Sequence, residues 1–253
     1  MKLDCVLTAV NEDPLYLDFV PIFIRTWHKL YPDVDVRIVL VAKSIRDDLL
    51  PYKDNILLFE PLDGILTSFV SQFVRLLYPC ILNYDNGVVI TDIDMLPMSR
   101  SYYTESIAPY DNSKFIYYRG DCCMDLREFA MCYNVATPRV WRDVFGMSSL
   151  EDIRRRLVWV SKRAAILPGH GSQGWNTDQR VLYSVVMDWN VKRGNLVRLD
   201  DTRTGFRRLD RGTFDIRDKQ IQKRIANGAY TDYHACRPMS EFREVNYAVY
   251  DLL

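Results

Sequence analysis

Buried strands alternate with amphipathic helices along residues 1–95, and this alternation constrains the fold more than any other feature of the sequence. Leu3–Val10 (LDCVLTAV) is almost wholly apolar, as is typical of a strand buried on both faces of a parallel sheet. The predicted strands are Leu3–Val10, Val34–Ala42, Ile56–Phe59 and Gly87–Thr91, and the predicted helices are Leu15–Leu30 and Leu66–Leu77. Such alternation predicts an α/β fold with a mostly parallel central sheet and right-handed crossovers.

Residues 96–253 are less regular but contain further candidate elements. Ser148 and Glu151 have the spacing of a capping box for a helix that runs to about Ala164. The other elements predicted here are strands at Phe115–Tyr118, Met131–Ala136 and Leu196–Leu199, and helices at Pro138–Phe145 and Thr177–Trp189. Because there is no repeat and no Gly- or Ser-rich linker, the sequence predicts one domain over residues 1–253, with halves at 1–95 and 96–253.

Charge and hydropathy exclude several classes of protein. The chain has 253 residues, with 33 Lys and Arg against 33 Asp and Glu, and 48% are apolar, so neither disorder nor a generic nucleic-acid coat is expected. The longest apolar runs, Ile38–Ala42 among them, have five residues, whereas a membrane span needs about 20, and Met1–Asp4 does not begin a secretory signal. We therefore expect a soluble, cytoplasmic protein with no membrane span, no nucleic-acid partner and free thiols at its six cysteines.

Asp92 and Asp94 follow a predicted buried strand, at the end where open α/β sheets bind ligands. Residues i and i+2 of an extended segment face the same side, so the two carboxylates are expected to lie close together. Close carboxylates repel each other unless a cation lies between them, and hard divalent ions bind one or two carboxylates together with phosphate oxygens. The same pattern at Asp33–Asp35 precedes its strand and predicts only a solvated turn. The sequence therefore predicts a metal site at Asp92 and Asp94.

Four segments resemble glycosyltransferases of the GT-A fold, which transfer a sugar from a nucleotide diphosphate. Val88–Pro97 (VVITDIDMLP) resembles the DxD segment of these enzymes, and Ser71–Leu77 (SQFVRLL) is similar to the helix whose arginine reaches the donor. Trp175–Gln179 (WNTDQ) resembles their acceptor-side Asp motif. Pro14–Ile24 is similar to the opening of glycosyltransferase domains encoded by large algal viruses, and that similarity implies a host cytoplasm as the compartment.

This resemblance implies a single GT-A (Rossmann-like) domain that acts as a metal-dependent glycosyltransferase. Asp94 would chelate the ion, Asp92 would contribute directly or through water, and His234 would supply a ring nitrogen, although an ordinary loop histidine fits the sequence equally well. Imidazole suits Mn²⁺ better than Mg²⁺, so Mn²⁺ is the expected cofactor and Mg²⁺ the alternative. The expected donor is a nucleotide sugar, in the first place a UDP-sugar, and the expected acceptor is a hydroxyl group of a glycan or glycoprotein.

The resemblance also implies which residues bind the donor. Arg75 would reach the diphosphate or the sugar, since a planar guanidinium makes bidentate bonds to phosphate, but a surface arginine fits the same helix pattern. Ile93 lies between the two aspartates and is assigned to the donor with them. The end of the first strand would bind the base and ribose through Thr8, Ala9, Val10 and Asn11.

Asp178 is the candidate catalytic residue, at the start of a predicted helix. In an inverting reaction it would act as general base for the acceptor hydroxyl, and in a retaining reaction it would orient the acceptor. A plain helix N-terminal aspartate is the alternative. The expected acceptor-binding residues are Trp175, Asn176 and His170. Trp175 is a natural platform for a sugar face, but a tryptophan beside glycines also serves as a core plug.

Residues 192–224 carry a local excess of positive charge. The sequence is compatible with a flexible loop that closes over the donor and excludes water, and equally with a solvated basic surface. The arginines that crowd this segment are Arg203, Arg207, Arg208 and Arg211.

Two other functions stay open from the sequence. A haloacid dehalogenase-type phosphohydrolase also places Asp-x-Asp after a strand, and Asp200–Asp201 would supply its acidic metal pair. Such enzymes usually carry the motif on their first strand, however, and have Thr or Val where this chain has Leu96. A non-catalytic module that binds a nucleotide sugar is the second alternative.

Overall fold

The computed structural model describes residues 1–164, 167 and 173–253, and these form ten strands and ten α-helices. The strands are β1 Leu3–Asn11, β2 Asp35–Val41, β3 Ile56–Phe59, β4 Gly87–Ile90, β5 Met95–Pro97, β6 Phe115–Tyr117, β7 Asn134–Ala136, β8 Leu196–Arg198, β9 Arg208–Asp210 and β10 Asp232–His234. The helices are α1 Pro14–Leu17, α2 Val20–Leu30, α3 Thr67–Leu77, α4 Tyr102–Glu105, α5 Pro138–Phe145, α6 Leu150–Ser161, α7 Thr177–Arg193, α8 Asp201–Thr204, α9 Lys219–Ala226 and α10 Met239–Asp251.

A seven-stranded sheet forms the centre of the fold, in the order β3-β2-β1-β4-β7-β6-β8. The pairs β3/β2, β2/β1, β1/β4 and β6/β8 are parallel, and β7 runs antiparallel to both of its neighbours, β4 and β6. The prediction of an α/β fold with a mostly parallel central sheet is therefore confirmed. Strand β1 is buried along almost its whole length, as its continuous apolar sequence requires.

The helix predicted at Leu15–Leu30 is interrupted. Asp13 caps α1 by accepting a hydrogen bond from the Leu15 N–H at 3.0 Å, and the helix ends at Leu17 before α2 begins at Val20. Pro21 explains the interruption, because its ring lacks an N–H and clashes with the carbonyl of the residue four positions earlier, Leu17. The break lets the chain turn between two short helices beside the end of β1.

A second sheet, in the order β5-β10-β9, is not foreseen by the sequence analysis. Strand β10 runs antiparallel to β5, with His234 opposite Met95, and parallel to β9, with His234 opposite Asp210. The Ala235 N–H extends the first pairing by donating to the Asp94 carbonyl at 2.8 Å. Residues that are distant in the sequence are therefore fixed beside the Asp92–Asp94 segment.

Three local predictions need correction. Met131–Tyr133 is a 3₁₀ turn, so the strand predicted at Met131–Ala136 begins only at Asn134. The basic segment is not a simple loop, since it contains β8, α8, β9 and most of α9. The capping box uses Ser149 and Asp152, one residue later than predicted: the Ser149 Oγ accepts from the Asp152 N–H, and an Asp152 oxygen accepts from the Ser149 N–H, both at 3.1 Å.

Within the described part of the chain, each helix is too short or too polar to cross a lipid bilayer.

Candidate active site

A cavity of about 570 Å³ opens at the carboxyl ends of β1 and β4. The sheet order places β2 and β3 on one side of β1 and β4 on the other, so the chain reverses its direction of winding between β1 and β4. Ligands of open α/β sheets bind at such a switch point, outside the carboxyl ends of the strands. Ten of the residues predicted for the site line this cavity: Ala9, Val10, Asn11, Arg75, Asp92, Ile93, Asp94, Trp175, Asp178 and His234.

Asp94 lies at the floor of this cavity and is only 4% exposed. Its Oδ2 lies 3.1 Å from Arg211 Nη1, 3.3 Å from Arg237 Nε and 3.6 Å from His234 Nε2. Burial alone raises the pKa of a carboxyl, but the hydrogen bond and charge of His234 and the charges of both arginines lower the pKa of Asp94 to about 2. Asp94 is therefore an ionised, preorganised carboxylate at neutral pH.

His234 is held from its other side by Asp210. The Nδ1 atom of His234 lies 2.8 Å from an oxygen of Asp210, the residue opposite it in the β9/β10 pairing. Such a bond fixes the ring orientation. The Nε2 atom on the other side of the ring is hydrogen-bonded to Arg211 Nη2 and lies 3.6 Å from Asp94 Oδ2. A carboxylate on one ring nitrogen is the usual way in which proteins orient an imidazole whose other nitrogen binds a metal.

Arg75, on the last turn of α3, joins two acidic residues that come from different parts of the chain. It is 8% exposed, and its guanidinium binds Asp92 through Nη1 and Asp178, in the first turn of α7, through Nη2 at 3.0 Å. Burial raises the pKa of Asp178, and the Arg75 charge and hydrogen bond oppose that rise. The other oxygen of Asp178 accepts the Gln179 N–H at 2.8 Å, so both carboxylate oxygens are engaged.

A second buried charge cluster borders the cavity. Arg208 binds the Tyr133 hydroxyl through Nη2, and its Nε lies 3.4 Å from the fully buried Asp232. Burial raises the pKa of Asp232, although Arg208 and Tyr133 stabilise its charged form. Cys132 donates a hydrogen bond from its thiol to Asp92 at 2.8 Å. These contacts fix one wall of the cavity next to the aspartate pair.

Three predicted site residues are placed differently from the rest. Thr8 is fully buried in β1 and does not line the cavity, so we do not include it in the site. Asn176 does not line the cavity either, and its amide donates to Glu128 at 3.3 Å. His170 is outside the described residues. Asn11 reaches the cavity while its amide donates to Thr67 at 3.1 Å.

The sequence analysis names Arg75 for the donor, and Arg208 and Arg211 only as part of the basic segment. It does not identify Arg237 or Asp210, the partner of His234. Arg208, Arg211 and Arg237 line the cavity with Arg75, whereas Arg203 and Arg207 of the basic segment do not. The only signal in the sequence was the density of arginines in residues 192–224. Asp210 had no signal at all, because its position beside His234 depends on the pairing of two three-residue strands.

The side chains of the cavity include ligands for a divalent metal ion. Among the described residues, no three His, Cys, Asp or Glu side chains are close enough together to form a complete protein metal site. Asp94 and His234 are adjacent, however, and Asp92 lines the same cavity. An ion that binds a diphosphate needs only one or two carboxylates from the protein, because phosphate oxygens and water complete its coordination. The side chains present therefore fit Mn²⁺ or Mg²⁺ in the company of a diphosphate.

Comparisons with known proteins identify the fold. No protein-family model matches the sequence, and no curated protein matches it. Among solved structures, the glycosyltransferase GlyE of Streptococcus pneumoniae is similar with a TM-score of 0.50 at 13% identity, over 99% of this chain and 60% of GlyE. The galactosyltransferase LgtC, crystallised with donor and acceptor sugar analogues, is similar with a TM-score of 0.48 at 13% identity, over 98% of this chain and 96% of LgtC.

The likeness to GlyE agrees with the sheet order described above and confirms the expected GT-A-like α/β fold. At this level of identity it bears on the fold alone. The activity therefore has to be argued from the cavity itself.

Proposed function

We propose that this protein is a metal-dependent glycosyltransferase that takes its sugar from a nucleotide diphosphate. The observation that carries the proposal is the meeting of Asp94 and His234, 3.6 Å apart, in a cavity at the switch point of the sheet that also contains four arginines. The carboxylate and the imidazole suit a divalent ion, and the guanidinium groups suit the negatively charged oxygens of a diphosphate bound to that ion.

The arginines bind and orient the diphosphate. Guanidinium groups make bidentate hydrogen bonds to phosphate oxygens, which a lysine cannot do. Arg211 and Arg237 contact Asp94, so they lie beside the position of the ion, and Arg208 lies beside Tyr133 on the neighbouring wall. The residues at the end of β1, Ala9–Asn11, then face the nucleoside.

Asp94 and His234 hold the ion, Asp92 completes the acidic pair, and Asp210 keeps the imidazole oriented. When bound, a divalent ion supplies Lewis-acid neutralisation of the charge that develops on the leaving diphosphate. Imidazole ligation favours Mn²⁺ over Mg²⁺. The donor we propose is a UDP-sugar, and the acceptor a hydroxyl group of a glycan or glycoprotein, as the resemblance of the DxD segment implies.

Asp178 acts in this proposal as a positioning residue. Both of its oxygens are engaged, one by Arg75 and the other by the Gln179 N–H, and the residue is 3% exposed. A general base needs an accessible lone pair within reach of the acceptor hydroxyl, and burial together with these two hydrogen bonds restricts access to Asp178. Asp178 instead fixes Arg75, and through it Asp92, while Trp175 lines the same cavity and offers a sugar platform.

The phosphohydrolase alternative finds no support in the geometry. Asp200 accepts the Thr202 N–H as the cap of α8, and Asp201 binds Arg119 at 2.9 Å, so neither carboxylate reaches the cavity. The Asp-x-Asp motif also follows β4 rather than the first strand of the fold.

The proposal is tested by incubating the protein with UDP-sugars and GDP-sugars in Mn²⁺ and measuring release of the nucleotide diphosphate. Slow hydrolysis of one donor, lost in Asp94→Ala but kept in the exposed control Asp33→Ala, would support it. Thermal stabilisation of the protein by inorganic phosphate, with no stabilisation by nucleotides, would instead indicate a phosphohydrolase. Binding of a nucleotide sugar without turnover of any donor would indicate the non-catalytic module.

A further inference from the structure

Two adjacent cysteines lie in the turn that follows β6. Cys122 and Cys123 are half-buried, and their sulfur atoms are 3.4 Å apart. Cys123 has a φ of +62°, in the left-handed region that residues other than glycine seldom adopt. Burial and the neighbouring Cys122 raise the pKa of Cys123 to about 11, so this thiol is protonated at neutral pH.

The carbonyl groups of this pair organise the loop that leads to the cavity. The Cys123 carbonyl accepts hydrogen bonds from the Leu126 N–H at 3.1 Å and the Glu128 N–H at 3.2 Å. The Cys122 carbonyl accepts from the Tyr117 hydroxyl at 3.0 Å, and that hydroxyl accepts from the Ala130 N–H at 2.9 Å. Ala130 lines the cavity, so the peptide groups of the cysteines are two hydrogen bonds away from it.

Glu128 connects the same loop to the helix that carries Asp178. It is 3% exposed, and its carboxylate accepts from Arg180 Nε at 2.9 Å and from the Asn176 amide at 3.3 Å. Both partners lie in the first turn of α7 or directly before it, and Asp178 stands between them. The backbone at Cys123 is therefore linked through Glu128 to the start of α7.

We propose that Cys122 and Cys123 form a thiol–disulfide modification site whose oxidation state adjusts the first turn of α7. The oxidant is a small disulfide of the glutathione class. In the first step, the thiolate of one cysteine attacks a sulfur of the reagent, forms a mixed disulfide and expels one reagent thiolate. In the second step, the other cysteine loses its proton to solvent, attacks the cysteine sulfur of the mixed disulfide and expels the second reagent thiolate. The protein loses two hydrogen atoms in forming one S–S bond, and the reagent is reduced to two thiols.

Such a bond is labile by geometry. Neighbouring Cα atoms are about 3.8 Å apart, shorter than the roughly 4.4–6.8 Å of an ordinary disulfide. A strained disulfide is reduced more readily than a structural one, as a reversible site requires. In this proposal, closing the ring twists the peptide between the two cysteines, which contains the Cys122 carbonyl, and also changes the backbone angles of Cys123. The Cys122 carbonyl then turns away from the Tyr117 hydroxyl, and the Cys123 carbonyl, in the next peptide, turns away from the Glu128 N–H.

The site can be tested without any nucleotide. Reduced protein is treated with oxidised glutathione, digested and mapped by mass spectrometry, and free thiols are counted in denaturant. We expect two fewer free thiols than the six of the reduced chain, with the bond mapped between Cys122 and Cys123 and reversed by dithiothreitol. Cys122→Ser and Cys123→Ser should each prevent it, and Cys236→Ser, which removes another half-buried thiol, should not.

The coupling to α7 is measured by hydrogen exchange of residues 176–180 in the reduced and oxidised protein. We expect faster exchange after oxidation, and, resting on the proposed function, a drop in donor turnover of about fivefold. A glutathione adduct on one cysteine only, a bond between two molecules, or unchanged exchange would overturn the inference. Absence of donor turnover in both redox states would contradict the proposed function. The mapped disulfide and the hydrogen-exchange result would then still decide the inference about Cys122 and Cys123.

Discussion

Asp94 Oδ2 lies 3.6 Å from His234 Nε2, although one residue follows the fourth strand of the chain and the other ends the tenth. The contact exists because β10 pairs antiparallel with β5, which begins at the residue after Asp94. The second sheet thus joins the two halves of the chain at the place where the main sheet opens its ligand-binding crevice.

Asp210→Asn should weaken Mn²⁺ binding by roughly 10-fold or more, because the variant loses the carboxylate that orients His234 and makes its ring a stronger ligand. The measurement is Mn²⁺ titration in the presence of UDP, followed by electron paramagnetic resonance of the free ion. Asp215→Asn is the matched control: Asp215 lies on the same segment, is exposed and pairs only with Arg217 among the described residues. Equal Mn²⁺ affinity in Asp210→Asn and Asp215→Asn would show that Asp210 does not support metal binding.

Arg75→Met should destabilise the fold by about 3–5 kcal/mol, since it leaves Asp178 buried without its charged partner and removes the bond to Asp92. Urea unfolding at neutral pH measures the loss. Arg217→Met removes an arginine from an exposed ion pair and should leave the unfolding midpoint unchanged. A midpoint for Arg75→Met that equals the wild type would show that the buried ion pair does not stabilise the protein.

Asp178→Asn should lower donor turnover by roughly 10- to 100-fold while leaving the shape of the pH profile of kcat/KM unchanged. The reason is that Asp178 orients Arg75 and does not exchange a proton with the acceptor. If one limb of the pH profile disappears in this variant, Asp178 is the general base and its positioning role is wrong.

The parallel half of the fold could be predicted because its information is local. The apolar run of β1 and the helical spacing of α3 each fit one element, and a parallel sheet follows from their alternation. Asp92 and Asp94 could be predicted for the same reason, since their position after a buried strand is visible in the sequence. The break between α1 and α2 also has a local cause, Pro21, which the helical spacing of the apolar residues alone does not reveal.

The second sheet could not be predicted from local pattern. Strands β9 (RLD) and β10 (DYH) are as short as the predicted strand β6 but are mostly polar, and β5 (MLP) ends in a proline, so none of them has the apolar run that indicates a strand. Asp210 and Arg211 acquire their roles only from the register of β9 against β10. The buried carboxylate Glu128 likewise has no motif around it, and its contacts with Asn176 and Arg180 come from tertiary packing.

The most direct test of the account is calorimetric titration of UDP into the protein with and without Mn²⁺, on wild type and on Asp94→Ala. The account predicts that UDP binds measurably only with Mn²⁺, and that Asp94→Ala abolishes this dependence while Asp33→Ala retains it. UDP binding of the same affinity with and without Mn²⁺, unaffected by Asp94→Ala, would contradict a metal-bound diphosphate at this site.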